Sequence, residues 1–173
     1  MRNKHWFLAA WIVLVSWYCG SAKEQVKETP QESAPAQATV AAGGEDAAKK
    51  ATELNKQLAK AVLRYFPVAK AEVSSEAWQK WSKASSKIVA NALNNLPAGY
   101  VLQITGHCDP RGDDAYNDNL SVERAQFVKD QLSKEGISSG KITIKGEGKR
   151  KLANPANPTS GENRRVEFLV VKQ

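Results

Sequence analysis

The side chains able to do chemistry gather in one stretch of the chain, His107-Cys108-Asp109 followed by Arg111-Gly112-Asp113. Nucleophilic catalysis would need Cys108, or a serine, held by His107, since the other histidine, His5, lies at the extreme N-terminus. Adjacent residues on an extended strand end point to opposite sides, so His107 and Cys108 do not make a dyad. No Ser-His-Asp set can be built without His107. A metal site made of His107, Cys108 and Asp109 lacks a fourth spaced ligand. The chain therefore reads as a non-enzyme with no metal and no cofactor. Arg111-Gly112-Asp113 spells a tripeptide used by integrin ligands, which makes a surface adhesin the rival reading, although so short a motif matches often by chance.

A different chemistry is open to Asp109, Asn117 and Arg124. Asn117 and Arg124 are seven residues apart, two helical turns, and so share a face. A carboxylate at a strand end and a guanidinium on the next helix can make charge-assisted hydrogen bonds, with a ligand or with other groups of the chain. Each charge-assisted hydrogen bond is worth about 1.5–3 kcal/mol, and arginine binds carboxylates bidentately. Free N–H groups at the helix start would add donors. On these residues alone, the pair reads first as a structural salt bridge or an aspartate cap, ahead of a ligand site.

These residues must be positioned by regular elements. Ala47, Ala51, Leu54, Leu58, Ala61, Val62 and Tyr65 make one helical stripe, which predicts a helix from Asp46 to Tyr65, stopped by Pro67. Val68 to Val73 reads as a short edge strand. A second helix begins after Ser74 or Ser75 as N-cap. Its stripe of Trp78, Trp81, Ser85, Ile88, Val89, Ala92 and Leu96 places the tryptophans in the core. Tyr100–Thr105 is a strand ended by Gly106, Asp114–Glu135 a helix stopped by Gly136, and Lys141–Lys145 an alternating strand. Gly146 to Gly161 is a long loop, and Val166–Val171 is a strand apolar enough to be central. Helices alternating with strands imply crossovers. The fold class is α/β, an α+β sandwich whose mixed, largely parallel sheet carries its helices on one side.

The N-terminal third differs. Arg2, Lys4 and His5 precede the apolar stretch Trp6–Tyr18, which at 13 residues is shorter than the roughly 20 needed to span a bilayer and suits an export signal over residues 1–18. Cys19-Gly20 closes it. From Ser21 to Gly44 no apolar period appears, as in a flexible tether. The net charge of +7 comes from scattered lysines without aromatic interleaving, which argues against nucleic acid. Of the two cysteines, Cys19 is assigned to an anchor, so Cys108 is left unpaired.

Four ordered blocks carry a resemblance. Ile104-Thr105-Gly106-His107-Cys108-Asp109 with Gly112, and Tyr116-Asn117 with Leu120-Ser121 and Arg124-Ala125, are similar to the OmpA-like signature G-H-T-D-x-x-G then Y-N-x-x-L-S-x-x-R-A. Gly146-Glu147-Gly148 and Asn163-Arg164-Arg165-Val166-Glu167 resemble its later G-x-G and N-R-R-V-E. Cys19 resembles the lipidated cysteine of bacterial lipoproteins, although Ser16, Trp17 and Tyr18 depart from the usual lipobox. The resemblance implies a β-α-β-α-β-β domain over residues 62–173, preceded by a helix over 45–66 and by a lipidated Cys19 with its tether over 19–44. It implies binding of the peptidoglycan stem peptide, with Asp109 and Arg124 holding diaminopimelate and Asn117 beside them; of Arg164 and Arg165, one approaches the site, Arg165 being the residue assigned to ligand contact, and the other pairs with a neighbouring acid or packs its stem. Peptidoglycan, a membrane reached through Cys19, and other envelope proteins are the implied partners, and an outer-membrane lipoprotein facing the periplasm is the implied setting. Cys108 stands where the family commonly has Thr, and the first strand lacks the family's F-D-x-D-S-like pattern.

Overall fold

The structure, a computed structural model, describes residues 38–173, with side chains from residue 44 onward. The expected signal, Cys19 and the tether as far as residue 37 lie outside the described residues. The elements run α1 (Ala38–Leu58), β1 (Leu63–Arg64), α2 (Ser75–Asn94), β2 (Tyr100–Gly106), α3 (Asp114–Lys134), β3 (Ile142–Gly146) and β4 (Arg165–Lys172), with a 3-10 turn at Gly161–Asn163. The sheet order is β1-β4-β2-β3. β4 runs antiparallel to both β1 and β2, and β2 runs parallel to β3. This is the expected α/β architecture with β4 inside the sheet, but the sheet is mixed rather than largely parallel, because β4 returns antiparallel to both of its neighbours.

Strand parity decides which residues meet the helices, because alternate residues share a face. Leu102 and Ile104 of β2, Ile142 of β3, and Val166, Phe168 and Val170 of β4 join the buried core with Val89 of α2 and Ala125, Val128 and Leu132 of α3. The register sets Ile104 between Phe168 and Ile144. Trp81 stacks on Phe168 at 5.6 Å and 16°, and Trp78 packs on Trp81 at 4.8 Å. Both indole N–H groups are satisfied, Trp78 donating to Glu135 Oε1 at 2.7 Å and Trp81 to the Ala61 carbonyl at 2.9 Å. Burial therefore leaves no orphan donor on either ring.

Local chemistry starts the two central helices. The Ser74 hydroxyl accepts from Ala77 N at 3.2 Å, and the Asp113 carboxylate accepts from Tyr116 N at 2.7 Å. Such caps contribute about 1 kcal/mol each. Gly106 sets how closely α3 lies on the sheet. A Cβ there would sit inside the contact radius of the Ser121 carbonyl oxygen, so only glycine lets the end of β2 pass directly beneath α3. That approach sets Asn117 and Arg124 over the loop that leaves β2.

Two elements differ from expectation. α1 ends at Leu58, although the helical stripe runs on to Tyr65. It also starts at Ala38, so Gly43-Gly44 is helical. The chain leaves the helix because β4 offers an open edge. Leu63 and Arg64 pair with Val166 and Arg165, and Tyr65 takes φ 66°, which no helix allows. Further along the same edge, the Asn55 side chain donates to the Val170 carbonyl at 3.1 Å and accepts from Val170 N at 2.6 Å. It thus stands in for a strand on an otherwise bare edge. The segment Val68–Val73, expected as an edge strand, is a turn with Ala69 at φ 54°. Its Lys70 carbonyl, with that of Pro67 just before the segment, accepts from Arg124 instead.

Candidate functional site

The chain leaving β2 is held on both sides. His107 N donates to the Arg165 carbonyl at 2.9 Å, and Cys108 N donates to the Gly148 carbonyl at 2.7 Å. Asp109 follows, only 5% exposed. Its carboxylate accepts from Arg111 through N (3.3 Å), Nε (3.2 Å) and Nη2 (2.5 Å), and from Arg164 Nη1 at 2.9 Å. Burial pushes the Asp109 carboxyl up, but the bonds from Arg111 and Arg164 outweigh it and hold the group below the ordinary carboxylate value.

Arg124 is 1% exposed. Its Nε donates to the Lys70 carbonyl at 3.0 Å, Nη1 to the His107 carbonyl at 2.8 Å and to Cys108 Sγ at 3.3 Å, and Nη2 to the Pro67 carbonyl at 3.1 Å. The guanidinium carbon lies 5.3 Å from the Phe66 ring centroid. Arg124 thus ties the 67–70 turn to the end of β2. It makes no ion pair with Asp109 among the described residues; the partners of that carboxylate are Arg111 and Arg164.

These residues surround a pocket of about 270 Å³ whose lining includes Asp109, Arg111, Asn117, Arg124 and Arg164, with Val68, Tyr116 and Leu120 as apolar walls. The size fits an amino-acid head, since drug-sized ligands occupy about 300–1,000 Å³. The Asn117 amide donates to the carbonyls of Arg111 at 2.8 Å and Asp113 at 3.0 Å, and so shapes the loop that forms one wall. Cys108 lines the floor, and its thiol donates to the Asn117 carbonyl at 3.5 Å. Burial raises the pKa of that thiol, with Arg124 opposing. The tripeptide is used internally, Arg111 on Asp109 and Asp113 as the cap of α3.

Three of the four expected ligand residues, Asp109, Asn117 and Arg124, line this pocket, and Arg165 does not. Arg165 donates to Glu167 Oε1 at 2.6 Å and to the Lys151 carbonyl at 3.1 Å. Parity explains the exchange. Val166 faces the helices, so Arg165 and Glu167 face away, and Arg164 falls on the Val166 side. The parity of the apolar Val166, Phe168 and Val170 is the signal in the sequence that could have found Arg164.

His107 belongs to the opposite face. It is 2% exposed, with Nε2 3.4 Å from Glu167 Oε2. Neither ring nitrogen has a hydrogen-bond partner among the described residues, so His107 lies beside Glu167 without a hydrogen bond to it. His107 nearby, then Arg165, hold the Glu167 carboxyl down to about 2 against the upward push of burial. The ring is therefore separated from Cys108, whose thiol turns to Asn117 and Arg124.

A model described as the OmpA family matches residues 65–165. The chain is similar to outer membrane protein A of Shimwellia blattae, 42% identical over 72 residues that make up 41% of this chain and 29% of that protein. It is similar to the peptidoglycan-associated lipoprotein of Legionella pneumophila, 37% identical over 82 residues, 46% of each. The chain spans less than half the length of the curated relatives it matches, between 12% and 46%. Among solved structures, the peptidoglycan-associated lipoprotein of Burkholderia pseudomallei superposes with a TM-score of 0.52 at 26% identity, over 66% of this chain and 93% of that one. The family model covers more than half of the chain, from Tyr65 through the pocket to Arg165, and its fold is the one observed, so the chain belongs to the OmpA family.

Proposed function

We propose that this domain binds the stem peptide of peptidoglycan without catalysis, taking one amino-acid end of diaminopimelate into the pocket at Asp109. The observation that carries the reading is a buried carboxylate beside guanidinium groups in a pocket of amino-acid size. A carboxylate of the ligand would meet Arg164 and the pocket edge of Arg124, and an ammonium would meet Asp109. The apolar walls, Val68, Leu120 and Tyr116, suit the methylene chain between the two ends. Two relatives carry peptidoglycan association in their names, which supports the same ligand class.

The same reading extends to the whole chain. Residues 1–18 export it, Cys19 takes a lipid, and the segment up to residue 44 connects the anchor to the domain. An outer membrane would then be tied to the cell wall by a non-covalent grip. The test is cosedimentation of the full-length chain with purified sacculi. Wild type is expected in the pellet, with Asp109→Ala and Arg164→Ala largely in the supernatant while circular dichroism shows them folded. Equal pelleting of folded variants and wild type would reject the pocket. Labelled palmitate incorporation that persists in Cys19→Ser would reject the anchor.

A further inference from the structure

The two arginines on Asp109 are not equivalent. Both donate to the same oxygen, Oδ2, at 2.5 Å from Arg111 and 2.9 Å from Arg164. Arg164 is fixed independently, since its Nε donates to the Phe66 carbonyl at 2.6 Å and its side chain is 15% exposed. Arg111 has a side chain 48% exposed and no side-chain hydrogen bond beyond Asp109 among the described residues. It occupies both carboxylate oxygens, Nε on Oδ1 and Nη2 on Oδ2. One guanidinium is thus a permanent wall and the other an exchangeable occupant.

We propose that Arg111 is a built-in competitor, its guanidinium holding the place on Asp109 that the ammonium of a diamino-acid ligand must take. The inference rests on the proposed ligand class and adds how the site is regulated. Without its ligand the buried carboxylate stays neutralised, which avoids the cost of an unpaired buried charge. On binding, the ligand ammonium replaces the Arg111 guanidinium, and Arg111 swings into solvent, where a long cationic side chain is well hydrated. The exchange is cation for cation, so the local charge on Asp109 stays balanced. The competition lowers affinity only for ligands that bring an ammonium to Asp109, because a ligand with a carboxylate but no ammonium leaves Arg111 in place. Such a ligand would instead gain from the positive field of Arg111, Arg124 and Arg164.

The experiment titrates meso-diaminopimelate, and separately pimelate, into the purified full-length chain and its Arg111→Ala variant by calorimetry. Pimelate has the same carbon chain and both carboxylates but no amino groups. Exposed ion pairs are weak, so Arg111→Ala is expected to bind diaminopimelate roughly two- to fivefold more tightly and pimelate no more tightly than wild type. If Arg111→Ala binds diaminopimelate equally or more weakly, or gains equally for pimelate, competition by Arg111 is overturned while the pocket stands. If neither protein binds diaminopimelate, and wild type also fails to pellet with sacculi, the underlying ligand reading falls with it.

Discussion

Replacing Arg124 with alanine should unfold more of the molecule than it disables. The side chain is almost wholly buried and gives hydrogen bonds to three backbone carbonyls, those of His107, Pro67 and Lys70. Truncation leaves the buried His107 carbonyl without this donor, a cost of about 1–3 kcal/mol. It also removes the guanidinium over Phe66, about 0.5–2 kcal/mol, and frees the 67–70 turn. Relief of burying a cation offsets part of the loss. The net expectation is about 3–4 kcal/mol, a fall of roughly 10 °C in Tm for a domain of this size. Asp109→Asn keeps most of its hydrogen-bonding capacity beside Arg111 and Arg164, so about 1 kcal/mol is expected. Arg124→Lys should fall between wild type and alanine, because one ammonium cannot reach all three carbonyls. Urea unfolding of the three variants, followed by tryptophan fluorescence, is the assay. An Arg124→Ala stability within about 1 kcal/mol of wild type would refute the structural role assigned to this arginine. It would also mean that loss of binding in that variant reports ligand contact alone.

Glu167, held at about 2 against an ordinary 4.5, stabilises the folded state above pH 4.5, and that contribution is lost as pH falls toward 2. The urea-midpoint difference between wild type and Glu167→Gln should therefore be constant at neutral pH and shrink across that interval. Gly106→Ala drives a methyl into the Ser121 backbone and should cost about 1–3 kcal/mol or more by overpacking, read as a lower Tm. Arg164→Ala should abolish sacculus binding and Arg165→Ala should leave it intact, because Arg165 pairs with Glu167 on the far face; cosedimentation of both decides.

Most of the fold could be read from apolar periodicity. The α2, β2, α3, β3 and β4 boundaries follow from stripes, alternation, Ser74, Gly106 and Gly136, each of which acts within its own neighbourhood. What escaped depends on distant partners. The stripe through Ala61, Val62 and Tyr65 is a valid helical pattern, and only the open edge of β4 pulls Leu63 and Arg64 into a strand. Val68–Val73 alternates weakly, but its Lys70 carbonyl serves Arg124, a use that leaves no mark in the sequence. In the site, the motif residues Asp109, Asn117 and Arg124 do come together. The salt bridge that Asp109 and Arg124 offered as an alternative does not form among the described residues, and an arginine that satisfies backbone carbonyls looks the same in sequence as one that meets a carboxylate. Arg164 and Arg165 could have been told apart by the parity of Val166, Phe168 and Val170.

The central claim is that a diamino acid of the stem peptide enters the pocket at Asp109. The most direct measurement is an amide NMR titration of the full-length chain with a diaminopimelate-containing stem peptide. The account expects saturable shifts confined to residues 107–117 and to Val68, Arg124 and Arg164, and absent in Asp109→Asn. Shifts centred on Thr143, Lys145 and Leu169 of the opposite sheet face, or unchanged in Asp109→Asn, would contradict it.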